Sequence, residues 1–241
     1  MSTFLTAEWR KLIMAQYEVA PESLLPYLPA GVELDLFQGR CYVSLVGFLF
    51  DRVRLKGLPI PGHTCFEEIN LRFYVRRPNA PDGQPRRGVV FLREFVPRAA
   101  VTWLARAVYG EPYSTMPTQH EIRSNEHTLF VEYGWQHHGV WQSVGVEAEL
   151  TAQPLAPGSL EEFITEHYWG YTRRKDDSTW EYAVHHPRWE TYAIKRFDIT
   201  ASFGELCGTL MAGVNPKLPA HVLLAEGSEI SVYGHAPEPL K

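Results

Sequence analysis

The 241-residue sequence predicts a mainly β fold, an antiparallel barrel or sandwich that carries a few short helices. Bulky aromatic residues, which favour strands and cavity walls, are plentiful: twelve Phe, twelve Tyr and seven Trp. Segments of strand character are separated by breaks rich in Gly and Pro, such as KGLPIPGH and PNAPDGQP. Residues 69–76 alternate between apolar and polar side chains, a pattern typical of a half-buried antiparallel strand. Because no repeat or low-complexity linker interrupts this pattern, we expect residues 1–241 to form a single domain.

The first predicted element is a short helix after Ala20, in which Leu24, Leu25 and Leu28 would pack inward before Pro29 and Gly31 end it. Strands then follow, in the order VELDLF, CYVSLVGFLFD, EEINLRFYVR and RGVVFLREF. The segment RAAVTWLARAVY, residues 98–109, has Ala, Val and Leu at helical spacing and few turn formers. It is therefore predicted to be the central helix.

The second half of the chain is predicted to continue in the same way. Two strands, HTLFVEYGW and WQSVGVEAEL, flank a turn at residues 137–139. Ser159, with Glu162 three positions later, fits a capping box that begins a short helix. The remaining strands are predicted in WGYTRR, WEYAVHH, YAIKRFDI and EISVYGH.

Composition limits the classes of partner. The formal charge of −5 and the pI near 6.1 provide no broad basic face for nucleic acid or for an anionic membrane. No apolar run reaches the length of a membrane span, and the start of the chain lacks the apolar stretch of a secretory signal, so we expect a cytoplasmic protein. Cys41, Cys65 and Cys207 are odd in number and lie among apolar neighbours, which predicts buried thiols and no disulfide framework.

The sequence motifs give little support to a metal site, a hydrolase nucleophile or a nucleotide-binding loop. The two His-His pairs, at residues 137–138 and 185–186, would point to opposite faces of a strand, and no HExxH or paired CxxC is present, so we expect no metal. Ser114 is the most suggestively placed serine, but it lacks the GxSxG elbow of a hydrolase nucleophile. Phosphate-loop and dinucleotide fingerprints are absent, and we expect no cofactor.

Two short stretches contain better candidates. Gly110 ends the predicted helix, and Pro112 after it would aim Tyr113 and Ser114 in a fixed direction, which suits residues that face a cavity. Glu67 and Glu68 open a strand, where a carboxyl at a barrel mouth can be desolvated enough to act as an acid or base. Only one of the pair can face inward. Arg72, four residues after Glu68, would share its face as an ion-pair partner or an anion anchor.

Long stretches of the chain resemble one protein family. They are MAQYEVAPESLLPYLPAGVELDLFQGRCYVSLVGFLF, IPGHTCFEEINLRFYV, RGVVFLREFVPRAA, EHYWGYTR and VHHPRWE. On these the chain is identified as a member of the DUF2071 (YqjF-like) family, which is similar to the acetoacetate decarboxylase-like group. The resemblance implies a cone-shaped antiparallel β-barrel around a closed ligand cavity, and a homo-oligomer is possible on the same ground.

The resemblance also bears on chemistry. In the decarboxylases a Gly-Arg pair is followed by Pro-Lys-Lys, in which the first lysine forms a Schiff base and the second lowers its pKa. Here the match passes through Arg106 and Pro112 to Tyr113 and Ser114, so both lysines are missing. Lys195 is the only lysine within a convincing strand that could substitute. The decarboxylases also place a Glu in a Tyr-x-Glu setting, which Phe66-Glu67-Glu68 matches with Glu68.

The sequence therefore predicts a cavity that binds a small organic molecule and does not decarboxylate acetoacetate. The residues expected to line it are Glu68 and Tyr113, as an acid/base pair for enolisation, hydration or a lyase step, and Arg106, Ser114 and Arg72, as ligand-binding residues. Two alternatives remain. One is a carrier or sensor that only binds in this cavity, and the other is a structural or interaction protein in which the barrel would be packed solid.

Overall fold

The computed structural model describes residues 3–108 and 110–234, which form a mainly β fold with a few short helices, as predicted. The described strands are β1 (Thr3–Val19), β2 (Glu33–Leu34), β3 (Cys41–Leu55), β4 (Leu58–Pro59), β5 (Phe66–Arg77), β6 (Arg86–Val96), β7 (Tyr113–Thr115), β8 (Thr118–Ser124), β9 (Leu129–His137), β10 (Val140–Pro154), β11 (Trp169–Arg173), β12 (Thr179–His185), β13 (Glu190–Thr200) and β14 (His221–Tyr233). The helices are α1 (Pro21–Leu24), α2 (Ala99–Val108), α3 (Leu160–Thr165) and α4 (Phe203–Cys207), and short 3₁₀ turns follow α1 (Leu25–Tyr27) and α4 (Gly208–Leu210). No helix in these two ranges is long and apolar enough to cross a bilayer.

The strand pairings close a ring. They run β1, β3, β5, β6, β11, β12 and β14, and β14 pairs again with β1 along most of its length. Neighbours in the ring are antiparallel, as predicted, except β6 and β11, which run parallel. Beside the ring, β7 also pairs parallel to β6. From β14 a second layer continues through β13, β10, β9 and β8.

Two hydrophobic cores result from the alternation of side chains along the strands. The first lies between the outer face of β1, β3 and β5 and the second layer, and it includes Ile13, Val43, Leu71, Tyr133 and Trp135. The second fills part of the interior of the ring. Its members include Leu12, Met14, Phe48, Val89 and Leu223.

β5 shows how some polar side chains come to lie inside the ring. The predicted alternation holds, with Ile69, Leu71 and Phe73 on the outer face, but both faces of the strand are buried. Because the second layer covers the outer face, the polar side chains Asn70 and Arg72 point into the ring and not into solvent. The prediction of a half-buried strand was therefore wrong about the polar face, and this face is where the site lies.

Several other predictions need correction. β1 was not predicted, although it is the longest strand and completes the ring, and β7, β8 and α4 were also missed. β14 begins at His221, eight residues before the predicted EISVYGH strand. Leu25 is 55 % exposed and Cys65 is exposed, so neither packs inward as expected. α2 ends at Val108, and the last residue of its predicted range, 109, lies outside the described residues.

Two local predictions are confirmed. Ser159 caps α3, because its hydroxyl accepts from the backbone N–H of Glu162 at 3.1 Å. The Glu162 carboxylate in turn accepts from the backbone N–H of Gly158 at 2.6 Å. The turn between β9 and β10 falls at residues 138–139 as expected.

Candidate active site

A cavity of about 190 Å³ lies inside the ring, beneath α2. α2 presents one face to it, at positions spaced three and four residues apart. The apolar and aromatic residues that line it are Phe4, Leu5, Trp9, Phe50, Val53, Leu55, Ile60, Phe66, Val89, Phe91, Ala100, Val101, Leu104, Ala105, Trp169, Val184, Trp189 and Val232. Its polar lining includes Glu68, Arg72, Glu94, Glu111, Tyr113, Thr165, His167, Tyr182 and His186.

Glu68 and Tyr113, the two residues named from the sequence as an acid/base pair, both line this cavity and lie next to each other. Glu68 comes from β5 and is 2 % exposed, and Tyr113 comes from β7. The Tyr113 hydroxyl donates to Glu68 Oε2 at 2.8 Å, and the Asn70 amide donates to the other carboxylate oxygen at 3.0 Å. Burial raises the pKa of Glu68 to about 7, against the opposing effect of these two donors and of Arg72. A carboxyl with this pKa can accept or give up a proton at neutral pH.

Tyr113 is held in place by its own short strand. β7 runs parallel to β6, so that Tyr113 lies opposite Glu94. Burial, together with the charges of Glu68 and Glu94, raises the pKa of Tyr113 well above its ordinary value, and the phenol therefore stays protonated. Tyr113 is thus a hydrogen-bond donor in the cavity.

Glu94 is a second buried carboxyl, and a bulge in β6 brings it to the cavity. The pairing of β5 with β6 shifts by one residue between Leu71 and Arg72, so that β6 has one extra residue at this point. Phe91 and Glu94, three residues apart, consequently both line the cavity, although strict alternation would place them on opposite faces. Burial and the nearby carboxyls of Glu111 and Glu68 raise the pKa of Glu94 well above its ordinary value.

Glu111 is the third buried carboxyl, and it lies in the turn between α2 and β7. Gly110 makes this turn possible, because its φ of 69° is in the left-handed region that favours glycine. Glu111 Oε1 accepts from the hydroxyls of Thr172 at 2.6 Å and Tyr182 at 2.9 Å. Burial raises the pKa of Glu111 to about 7.

A glycine on β11 gives Tyr182 its position. Gly170 pairs with Tyr182 across β11 and β12, and a Cβ at Gly170 would overlap the Tyr182 ring. The ring therefore lies directly over the strand, and its hydroxyl reaches Glu111.

Of the remaining predicted site residues, Arg72 lines the cavity and is 8 % exposed, on the same face of β5 as Glu68. Ser114 is not among the lining residues, because it follows Tyr113 on a strand and its side chain points to the other face. Arg106 is exposed on the outer side of α2, and its Nε donates to the backbone carbonyl of Tyr113 at 2.7 Å. Arg106 thus holds the backbone of β7 from outside the cavity.

Sequence reasoning missed Glu94, Glu111, Tyr182 and His167. Glu94 follows Arg93 in a segment that reads as regular alternation, so only the bulge could reveal it. The other three come from turns and strands far apart in the chain, and nothing local marks them. Within the described residues, no group of three or more His, Cys, Asp or Glu side chains is arranged to hold a metal ion.

Solved structures of low sequence identity share this fold. An acetoacetate decarboxylase-like enzyme from Sphingomonas wittichii RW1 matches with a TM-score of 0.64 and 13 % identity, over 100 % of this chain and 94 % of that one. The acetoacetate decarboxylase of Legionella pneumophila matches with a TM-score of 0.62 and 14 % identity, over 99 % and 90 %. The enduracididine biosynthesis enzyme MppR, in complex with pyruvate, matches with a TM-score of 0.62 and 13 % identity, over 100 % and 92 %. The chain therefore has the acetoacetate decarboxylase-like fold, as the sequence predicted.

Sequence comparison gives a nearer relationship. The uncharacterized protein YqjF of Bacillus subtilis is 26 % identical over 188 residues, which cover 74 % of this chain and 72 % of that protein. The model of DUF2071, a family described as an uncharacterized conserved protein, matches residues 6–229. This match spans nearly the whole ring and the second layer, and the chain belongs to the DUF2071 family.

Proposed function

We propose that the cavity binds a small organic molecule and moves a proton on it through Glu68 and Tyr113, without a Schiff base. The observation that carries the proposal is the 2.8 Å hydrogen bond from the Tyr113 hydroxyl to a Glu68 carboxylate whose pKa burial raises to about 7. A general base with a pKa near the working pH combines a useful ionised fraction with a useful proton affinity. Arg72 and the two further carboxyls are the groups that would orient the ligand.

The positions of the lysines favour a reaction that does not form an imine with the substrate. Among the described residues that line the cavity there is no lysine. Lys195, the substitute considered from the sequence, is exposed and donates to the backbone carbonyl of His127 at 3.1 Å. Lys11 forms a hydrogen bond with Tyr192 at 2.7 Å and an ion pair with Glu226. Neither amine is free to attack a carbonyl in the cavity.

Enolisation is the simplest reaction that this pair could perform. The Glu68 carboxylate takes a proton from the carbon next to a carbonyl, the electron pair of the broken C–H bond forms the C=C bond, and the carbonyl oxygen takes the Tyr113 proton. The Tyr113 phenolate then recovers a proton from the Glu68 carboxylic acid across their hydrogen bond. The net change is keto to enol with the enzyme restored, and the same pair could serve hydration or a lyase step.

Deuterium exchange tests this proposal. Small ketones and keto acids, with and without an amino group, are incubated with the protein in D₂O, and loss of the C–H signal beside the carbonyl is followed by proton NMR. We expect at least one compound to exchange faster than in buffer alone. Binding of panel members without any exchange would instead favour the carrier or sensor, for which the largely apolar and aromatic walls are also suited. A protein that acts only through its surface would bind none of them.

A further inference from the structure

The polar wall of the cavity is rich in hydrogen-bond acceptors. Glu94 is 1 % exposed, and its Oε2 has no hydrogen-bond partner among the described residues. Glu68 and Glu111 contribute two more carboxyls to the same wall. A ligand that complements these carboxyls brings donors, while the Nε–H of Arg72, which also has no partner among the described residues, needs an acceptor.

His167 adds an acceptor that is independent of the carboxyls. Its Nε2 lies 3.2 Å from Oδ2 of Asp35, whose pKa is held below its ordinary value by hydrogen bonds from His167 and Arg87 against the effect of burial. Because a carboxylate can only accept, Nε2 carries the proton and Nδ1 is a bare acceptor. The His167 side chain is 1 % exposed, and this Nδ1 also has no partner in the described part of the chain.

The charges in the cavity also favour a positively charged ligand. Arg72 is the one side chain with a permanent positive charge among the described lining residues. Burial lowers the pKa of His167 and of His186 to about 4, so both are neutral at pH 7. At about pH 8, above the pKa of about 7 that burial gives Glu68 and Glu111, the ionised carboxyls of these two residues outnumber the one cation, and the structure leaves room for one more positive charge.

The walls suit a ligand with an apolar body. Trp9, Trp169 and Trp189 line the cavity with aromatic surface. Val101 and Leu104 of α2 and their apolar neighbours provide a surface for hydrocarbon.

We propose that the ligand of this cavity carries a protonated amine, whose N–H groups donate to Glu94 and its neighbouring carboxyls while its hydrocarbon part lies against the apolar walls. This inference rests on the proposed function and specifies the chemical class of the ligand. A metal ion is a poorer fit to the same acceptors, because no group of three or more ligating side chains is arranged for one within residues 3–108 and 110–234. An anion would find Arg72 but would face the carboxyls as well.

Calorimetry with three probes of the same hydrocarbon length tests the inference: butylammonium, butanol and butyrate. At about pH 8 we expect butylammonium to bind about tenfold more tightly than either of the others, because only it completes a buried charge pair. Glu94→Gln should weaken butylammonium binding about tenfold and leave butanol binding unchanged. Glu67→Gln is the matched control, because Glu67 points to the outer face of β5, where it accepts from Thr118 and His120. Circular dichroism establishes that each variant is folded. If Glu94→Gln does not fold, the same measurement is made with Glu111→Gln.

The outcomes separate this inference from the proposed function. Butyrate binding more tightly than butylammonium, full butylammonium affinity in both cavity variants, or no butylammonium binding at millimolar concentration would each overturn the amine inference. In those cases the proposed function would still be supported if butanol or butyrate binds, or if a compound without an amino group exchanges deuterium. If no probe binds and no compound exchanges, both fail.

Discussion

Glu68→Gln is expected to lower the rate of deuterium exchange in a responsive compound by a factor of about 10² to 10⁴, the usual contribution of a positioned general base. Glutamine has nearly the shape of glutamate, and its Oε1 can still accept from the Tyr113 hydroxyl, so we expect the cavity to keep its form. The amide cannot carry the proton between the substrate and Tyr113. NMR measurement of the initial exchange rate, at equal protein concentration, checks the result.

Glu67→Gln provides the control for this rate. The two glutamates are adjacent in β5, but Glu67 faces outward, and its Oε1 lies at hydrogen-bond distance, 2.5 Å, from Nδ1 of His120. We expect the exchange rate of Glu67→Gln to stay close to that of the parent. Equal rates in the parent and Glu68→Gln would remove Glu68 from the reaction, and equal losses in both variants would indicate a structural effect.

Glu111→Gln is expected to stabilise the protein at alkaline pH by about 3 kcal/mol, since each pH unit between folded and unfolded pKa corresponds to about 1.4 kcal/mol. The pKa of Glu111 is about 7 in the folded protein, against 4.5 as its ordinary value, because burial disfavours the charged form. The free energy of unfolding of the parent should therefore fall as pH rises from 4.5 through about 7. Glutamine does not ionise, and its carbonyl oxygen can keep the hydrogen bonds from Thr172 and Tyr182.

Urea denaturation at about pH 4 and about pH 8.5 measures this effect, with no difference expected between parent and Glu111→Gln at the lower value. Glu67→Gln should show the opposite sign. Hydrogen bonds from His120 and Thr118 hold the pKa of Glu67 below its ordinary value despite burial, so its contribution to stability is present at neutral pH and is lost as pH falls. The same stability difference for Glu111→Gln at both pH values would show that Glu111 does not titrate in this range.

Part of the fold and of the candidate site could be predicted because it depends on residues that are close together in the sequence. Alternation along β5 places Glu68 and Arg72 on one face, and the Gly110-Glu111-Pro112 turn directs Tyr113 to the cavity. What alternation cannot show is which face is covered. The polar face of β5 is typical of a solvent-facing surface, yet it lies inside the ring because the second layer packs against the apolar face.

The parts that could not be predicted depend on distant pairings. Glu94 reaches the cavity only because β6 has an extra residue relative to β5, and a bulge of this kind has no simple sequence signature. Tyr182 reaches Glu111 across 71 positions of sequence, over Gly170 on the neighbouring strand. β1 was missed because its mixed polar and apolar residues acquire a regular pattern only once β3 and β14 pair with it.

Glu68 is a buried carboxyl that lines the cavity, and we propose that it exchanges a proton near neutral pH. The most direct test is an NMR titration of protein labelled with ¹³C at the glutamate side-chain carboxyl, in which Glu68 is assigned as the signal absent from Glu68→Gln. The structure predicts that this signal titrates with a pKa of about 7. A pKa near the ordinary 4.5 would show that water reaches Glu68 freely, and it would contradict the proposed acid–base role.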